Sequence, residues 1–304
     1  MDTLPPRHGS ATRPDARPGV PPWSEPVVVR RPAVQTAPLV FSSPHSGRDY
    51  PPAFLNDSRL DMATLRRSED SFVEELFGSA PDRGCPLIHA TFPRTWCDVN
   101  REPWELDPAM FADPLPAYVN AASPRVGAGL GTIARVVSTG EAIYRRKLTF
   151  EEAEARIATC WRPYHQALAA LITETLHRFG CCLLIDCHSM PSLATLPARE
   201  RPPDIVLGDA HGTSCAAIAT RRVEEALSRR GLRVRRNEPY AGGYVTRHYG
   251  RPREGVHALQ IEIARNLYMD EGRIEPAAGF ARMKALLGQV IGELAAADWS
   301  SLKP

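Results

Sequence analysis

The sequence lacks several features, and each absence removes a class of function. None of its apolar runs approaches the ~18 residues that a membrane-spanning helix needs, which excludes a spanning segment. No apolar segment of secretory type follows the start, and Asp2, Asp15 and Glu25 sit badly in a transit peptide. The seven cysteines (Cys85, Cys97, Cys160, Cys181, Cys182, Cys187 and Cys215) include no CxxC pair. An odd number of thiols without an export signal predicts reduced cysteines in the cytoplasm, and argues against a cysteine-ligated zinc. Charge of one sign is missing too: 37 Lys+Arg against 35 Asp+Glu leave +2, which gives no ground for a nucleic-acid partner. GxGxxG, Walker and GxSxG patterns are absent, which counts against a nucleotide cofactor and serine-hydrolase chemistry.

Proline, in contrast, is abundant at 29 of 304 residues. Pro5, Pro6, Pro14, Pro18, Pro21, Pro22, Pro26 and Pro32 all precede the first good apolar run. Proline removes backbone donors, so residues 1–33 are expected to form a flexible or extended tail and residues 34–304 the working domain. Within it, Ala37–Ser43, Cys85–Thr91, Cys181–Cys187, Asp204–Leu207 and Gly255–Ile263 read as strands. Leu65–Gly78, Ile157–Phe179 (interrupted near Pro163), Ser214–Arg230 and Glu275–Ala297 read as helices. Such alternation predicts a single α/β domain with a mixed, mostly parallel sheet flanked by helices.

Two histidines share one placement. His45 in PHSG and His188 in DCHS each follow an expected strand, and open α/β sheets bind ligands outside the carboxyl ends of their strands. Each alone reads most simply as a hydrogen-bonded histidine; together they suggest a metal site that needs a third ligand. Asp70 shares a helical face with Val73 and Phe77, whereas Glu69 shares one with Phe72, Val73 and Leu76, so spacing leaves the choice open. Ser68 followed by two acids also suits an N-cap and the helix dipole. Glu262 lies between Ile261 and Ile263; burial there would raise its pKa toward that of a general base, unless the strand is an edge with one side in water. Arg94 and Asp98-Val99-Asn100-Arg101 could grip an acidic substrate through guanidinium forks. Gly242-Gly243-Tyr244 permits close backbone approach to a ligand.

The segments SPHSG (43–47), EDSFVEELF (69–77), PRTWCDVNR (93–101), WRPYHQAL (161–168), LLIDCHS (183–189), GGYVTRHYG (242–250) and HALQIEIARNLYM (257–269) occur in the order found in the N-formylglutamate amidohydrolase family. The chain resembles that family over about residues 37–270, and the family includes an enzyme of histidine breakdown. The resemblance implies a fold similar to zinc carboxypeptidases and aspartoacylase (phosphorylase/hydrolase-like). It implies one Zn²⁺, or another divalent ion, held by His45, His188 and Asp70, with Glu69 as the substitute. The carboxypeptidase HxxE glutamate is missing, its place taken by Arg48. Glu262 corresponds to the glutamate that activates metal-bound water, and Asn100-Arg101 to a pair that holds a substrate carboxylate. Arg94 or Arg135 is expected to face the oxyanion. The implied reaction is hydrolysis of N-formyl-L-glutamate, a small-molecule substrate, to formate and L-glutamate. The alternatives are a related N-acyl amino acid deacylase or carboxypeptidase of other specificity, or a non-catalytic metal-binding relative.

Overall fold

The computed structural model describes residues 25–192 and 202–304. Its core is a seven-stranded sheet made of β1 (Val27–Arg30), β2 (Leu39–Ser43), β3 (Leu87–Ala90), β4 (Cys182–Met190), β5 (Ile205–Gly208), β6 (Val234–Arg236) and β7 (Val256–Ala264), in the order β1-β3-β2-β4-β7-β5-β6. The pairs β3–β2, β2–β4, β4–β7 and β5–β6 are parallel, whereas β1–β3 and β7–β5 are antiparallel. This is the mixed, mostly parallel α/β sheet that the alternating pattern predicts.

Helices cover both faces. Val73–Leu76, Ala217–Ser228 and Phe280–Ala295 pack over one core, with Leu183, Ile185, Leu259 and Ile261. Phe150–Arg156 and Arg162–Phe179 pack over the other, with Leu184 and Ala258. All nine residues of β4 and of β7 are buried, as expected of strands covered on both faces. The anticipated break near Pro163 is a π-helical turn over Ile157–Trp161, just before the proline that cannot donate to it.

Three expectations need correction, and one alternative falls away. The tail is too long by its last residues: Val27–Arg30 forms edge strand β1 against β3, because the Val27-Val28-Val29 run suits a strand despite Pro26 and Pro32. Residues 1–24 lie outside the described part. The helix expected over Leu65–Gly78 is two short ones, Met62–Arg66 and Val73–Leu76, with Phe72 in the left-handed region at φ 68° between them. The groups that would continue the helix are engaged elsewhere: the Asp70 N–H donates to the His45 carbonyl, and Arg265 donates to the carbonyls of Arg67 and Glu69. His188 lies within β4 rather than beyond it. Finally, β7 is interior, between β4 and β5, so Glu262 is not on an edge.

Candidate active site

Parallel pairing of β2, β4 and β7 brings their carboxyl ends to one side of the sheet. His45 follows β2, while His188 sits directly opposite Glu262 in the β4–β7 register. Asp70 arrives on the turn between the two short helices, tied to His45 through the backbone. His45, Asp70 and His188 then offer ligand atoms that all lie within 4.8 Å of one another. Asp70 Oδ2 is 2.9 Å from His188 Nδ1 and 3.4 Å from His45 Nδ1. Glu69 is not part of this group: its carboxylate accepts from Tyr50, Arg66 and Ser71.

The surroundings orient both rings. His45 Nε2 is 2.7 Å from Asp98 Oδ1, and His188 Nε2 is 3.1 Å from Asp186 Oδ2. A carboxylate behind each ring favours a proton on Nε2, so that a cation at this point would find the Nδ1 lone pairs available; without one, Nδ1 of His188 donates to Asp70. His45 Nδ1 is buried without a hydrogen-bond partner, which in a folded interior calls for an explanation. Two imidazole nitrogens and one carboxylate oxygen are the donor set that a borderline divalent cation takes, so the residues fit a metal. The far oxygen of Asp70 accepts from Ser189 and Arg265, which keeps Oδ2 turned to the histidines.

With no cation between them, the three groups are held by one another's charge. Burial alone would raise the Asp70 carboxyl, but His188 and His45 hold it well below the usual carboxylate range. Burial opposes charge on His188 as well, yet Asp186 and Asp70 keep its imidazole well above the ordinary value. Glu262, with Oε1 accepting from Gln260 at 2.8 Å, is pushed up to about 7 by burial, with His188 pulling it down and Asp70 raising it further. A carboxylate poised there suits proton transfer at neutral pH.

Two glycines make room. A Cβ on Gly243 would lie 2.3 Å from Asn100 Nδ2, and one on Gly47 would lie 2.1 Å from the Phe92 carbonyl oxygen. The first approach lets Asn100 accept from the Val245 N–H while its Nδ2 lies 3.1 Å from His188 Nε2.

These residues face one cavity of about 540 Å³. A model of the N-formylglutamate amidohydrolase family matches residues 37–269. The chain belongs to the N-formylglutamate amidohydrolase family. It is 31% identical to an N-formylglutamate deformylase of Pseudomonas aeruginosa, over 77% of this chain and 83% of the relative. It is 30% identical to a deformylase of the same name from Pseudomonas putida, over 77% and 82%. A crystal structure of an N-formylglutamate amidohydrolase from Ralstonia eutropha superimposes with a TM-score of 0.84 at 37% identity, covering 89% of this chain and 97% of that one. A gene product of Agrobacterium tumefaciens shares the fold at 18% identity, with a TM-score of 0.60.

Of the residues singled out in sequence, this member of the N-formylglutamate amidohydrolase family brings His45, Asp70, Arg94, Asn100, Arg101, His188 and Glu262 to the cavity. Arg135 does not line it; its Nε donates to Asp107 Oδ2 at 2.7 Å on a half-exposed side chain, so its expected oxyanion role is withdrawn. Arg94 is held by Asp98 Oδ2 at 2.7 Å. Arg101 donates Nε to the Leu130 carbonyl and Nη1 to that of Asn100, and burial lowers it to about 10. Sequence reasoning assigned no role to Asp98, Asp186, Gln260, Arg125, Arg247 or Arg265. Asp186 and Gln260 lie two residues from His188 and Glu262 and were findable by strand alternation; Arg265, just past the end of β7, and Arg125 carried no such signal.

Proposed function

We propose that the chain hydrolyses the amide of an N-acyl amino acid, N-formyl-L-glutamate above all, to formate and L-glutamate, with one Zn²⁺ held by His45, Asp70 and His188. The observation that carries this reading is the convergence of both histidine Nδ1 atoms, one of them without a partner, on a single oxygen of Asp70 beside buried Glu262. A divalent cation at these ligands supplies Lewis acidity, polarising the amide carbonyl and acidifying water. Glu262 takes the proton of the attacking water, and its raised pKa places it where both ionised and protonated forms are accessible. Arg94, kept charged by Asp98 and Asp70 despite burial, faces the charge that develops on the carbonyl oxygen. Asn100 and Arg101 hold a carboxylate of the amino-acid half and so fix the scissile bond near Glu262. Glu262 then returns its proton to the departing amine. Asp98 and Asp186 keep the two rings in one tautomer throughout.

A panel of N-formyl, N-acetyl and N-succinyl amino acids, assayed for free amine with the zinc-loaded protein, tests the reading. N-formylglutamate should be turned over fastest. Preference for a different acyl group or amino acid would point to a related deacylase instead, and release from none would refute hydrolysis.

A further inference from the structure

Arg125 and Arg247 stand out because nothing in the described structure neutralises them. Both line the main cavity, and both also line an adjoining lobe of about 240 Å³ together with Asn100, Arg101 and Gly243. Arg94 in the same cavity is paired with Asp98, and Arg265 with Asp70. Arg247 donates only a 3.3 Å hydrogen bond to the Gly242 carbonyl, and among the described residues neither Arg247 nor Arg125 has a carboxylate within ion-pairing distance. The lobe does hold two acids. Glu102 accepts from Asn120, and Glu105 is buried near Arg101, so three arginines still outnumber them.

Arg101 cannot by itself hold a dicarboxylate. Its Nε and Nη1 are occupied by backbone carbonyls, and its Nη2 lies 3.7 Å from Asp98 Oδ2, which leaves it little capacity for a second carboxylate. A substrate with its amide beside Glu262 and one carboxylate at Asn100–Arg101 directs its remaining arm into the lobe that Asn100 and Arg101 share with the other two arginines. Guanidinium groups on opposing segments, Pro124–Gly127 and Tyr244–Tyr249, are suited to close on a planar anion there.

We propose that Arg125 and Arg247 form a second carboxylate subsite that makes the chain selective for N-acylated dicarboxylic amino acids over their neutral isosteres. The inference rests on the hydrolase reading above and names the groups that set its substrate class. Both side chains are exposed, so their replacement should leave the fold intact.

The test compares kcat/KM for N-formylglutamate and N-formylglutamine in the zinc-loaded enzyme and in Arg125→Gln, Arg247→Gln and the control Arg135→Gln. The unaltered enzyme and the control should prefer the glutamate compound. Each of the other variants should lower that ratio about 10- to 100-fold, the range of a charged hydrogen bond, chiefly through KM. A ratio unchanged in both variants, or no preference in the unaltered enzyme, overturns the subsite. If the chain hydrolyses neither compound, the hydrolase reading fails and calorimetry decides the subsite separately. Tighter binding of L-glutamate than of L-glutamine that is lost in the two variants upholds it; equal binding overturns it.

Discussion

The two faces of the β4–β7 strand pair make opposite use of the same burial. On one face the middle is apolar, with Leu183, Ile185 and Cys187 beside Leu259, Ile261 and Ile263, and only the ends are polar, at His257 and Ser189. The other face starts apolar, with Cys182 and Leu184 beside Val256 and Ala258, and then turns polar with Asp186 and His188 beside Gln260 and Glu262. The side chains of both faces are buried, and in the polar half, which ends at the cavity, each has a polar neighbour: Asp186 lies against His188, Gln260 against Glu262 and His188 against Asp70. The apolar face adds stability that depends on area and shape, whereas the polar half faces the cavity and is the part to which the proposed reaction assigns binding and chemistry. A substitution on one face should therefore register in a different measurement from a substitution on the other.

The largest expected effect is on the polar half. Glu262→Gln should lower turnover of N-formylglutamate about 10²- to 10⁴-fold, while elemental analysis still finds one zinc per chain; turnover at the unaltered rate would remove Glu262 as the base. One position away, Ile261→Ala should do the reverse. It leaves a cavity in the apolar core, expected to lower stability to urea by about 2–5 kcal/mol with kcat of the folded fraction retained. Should kcat collapse instead, the two faces are not separable. A smaller change is expected behind the ligands. Asp186→Asn and Arg265→Gln, which release His188 and Asp70 respectively, should weaken zinc about 10- to 100-fold in competition with a chromophoric chelator. Equal affinity in both variants would show that these contacts orient nothing.

The smallest effect concerns pH. Burial raises Glu262 to about 7, and a base must be ionised, so kcat/KM should fall as pH drops through that value. A nearby cation favours the carboxylate and moves this limb to lower pH, which makes about 7 its upper bound. Glu262→Gln should abolish the limb, and its persistence would assign it to another group.

Much of this contrast was legible in sequence. The continuous apolar run before Asp186 and the carboxylate between Ile261 and Ile263 marked strands whose carboxyl ends carry chemistry. Helical spacing left Asp70 and Glu69 open, and only the family resemblance favoured Asp70; it faces the histidines from a turn held by the His45 carbonyl and by Arg265, contacts distant in sequence. Long-range closure also explains the silence of Arg125 and Arg247. Arg125 sits in a short helix and Arg247 inside the GGYVTRHYG segment, and each gains meaning only where both line one lobe with Asn100 and Arg101. The edge alternative for Glu262 could be dismissed only once β5 was seen to pair with β7, because strand order is not written in local periodicity.

The hydrogen bond between Asp70 and His188 joins residues 118 positions apart, across β2 and β4, which meet in parallel only after the intervening chain has crossed over. Such non-local pairing is slow to form. A cation that binds only the finished arrangement has nothing to grip in the transition state if that closure comes afterwards. It should then leave the refolding rate nearly unchanged and slow unfolding. In kinetic terms such an ion would act as a latch on the closed sheet, setting how long the fold lasts rather than how fast it forms.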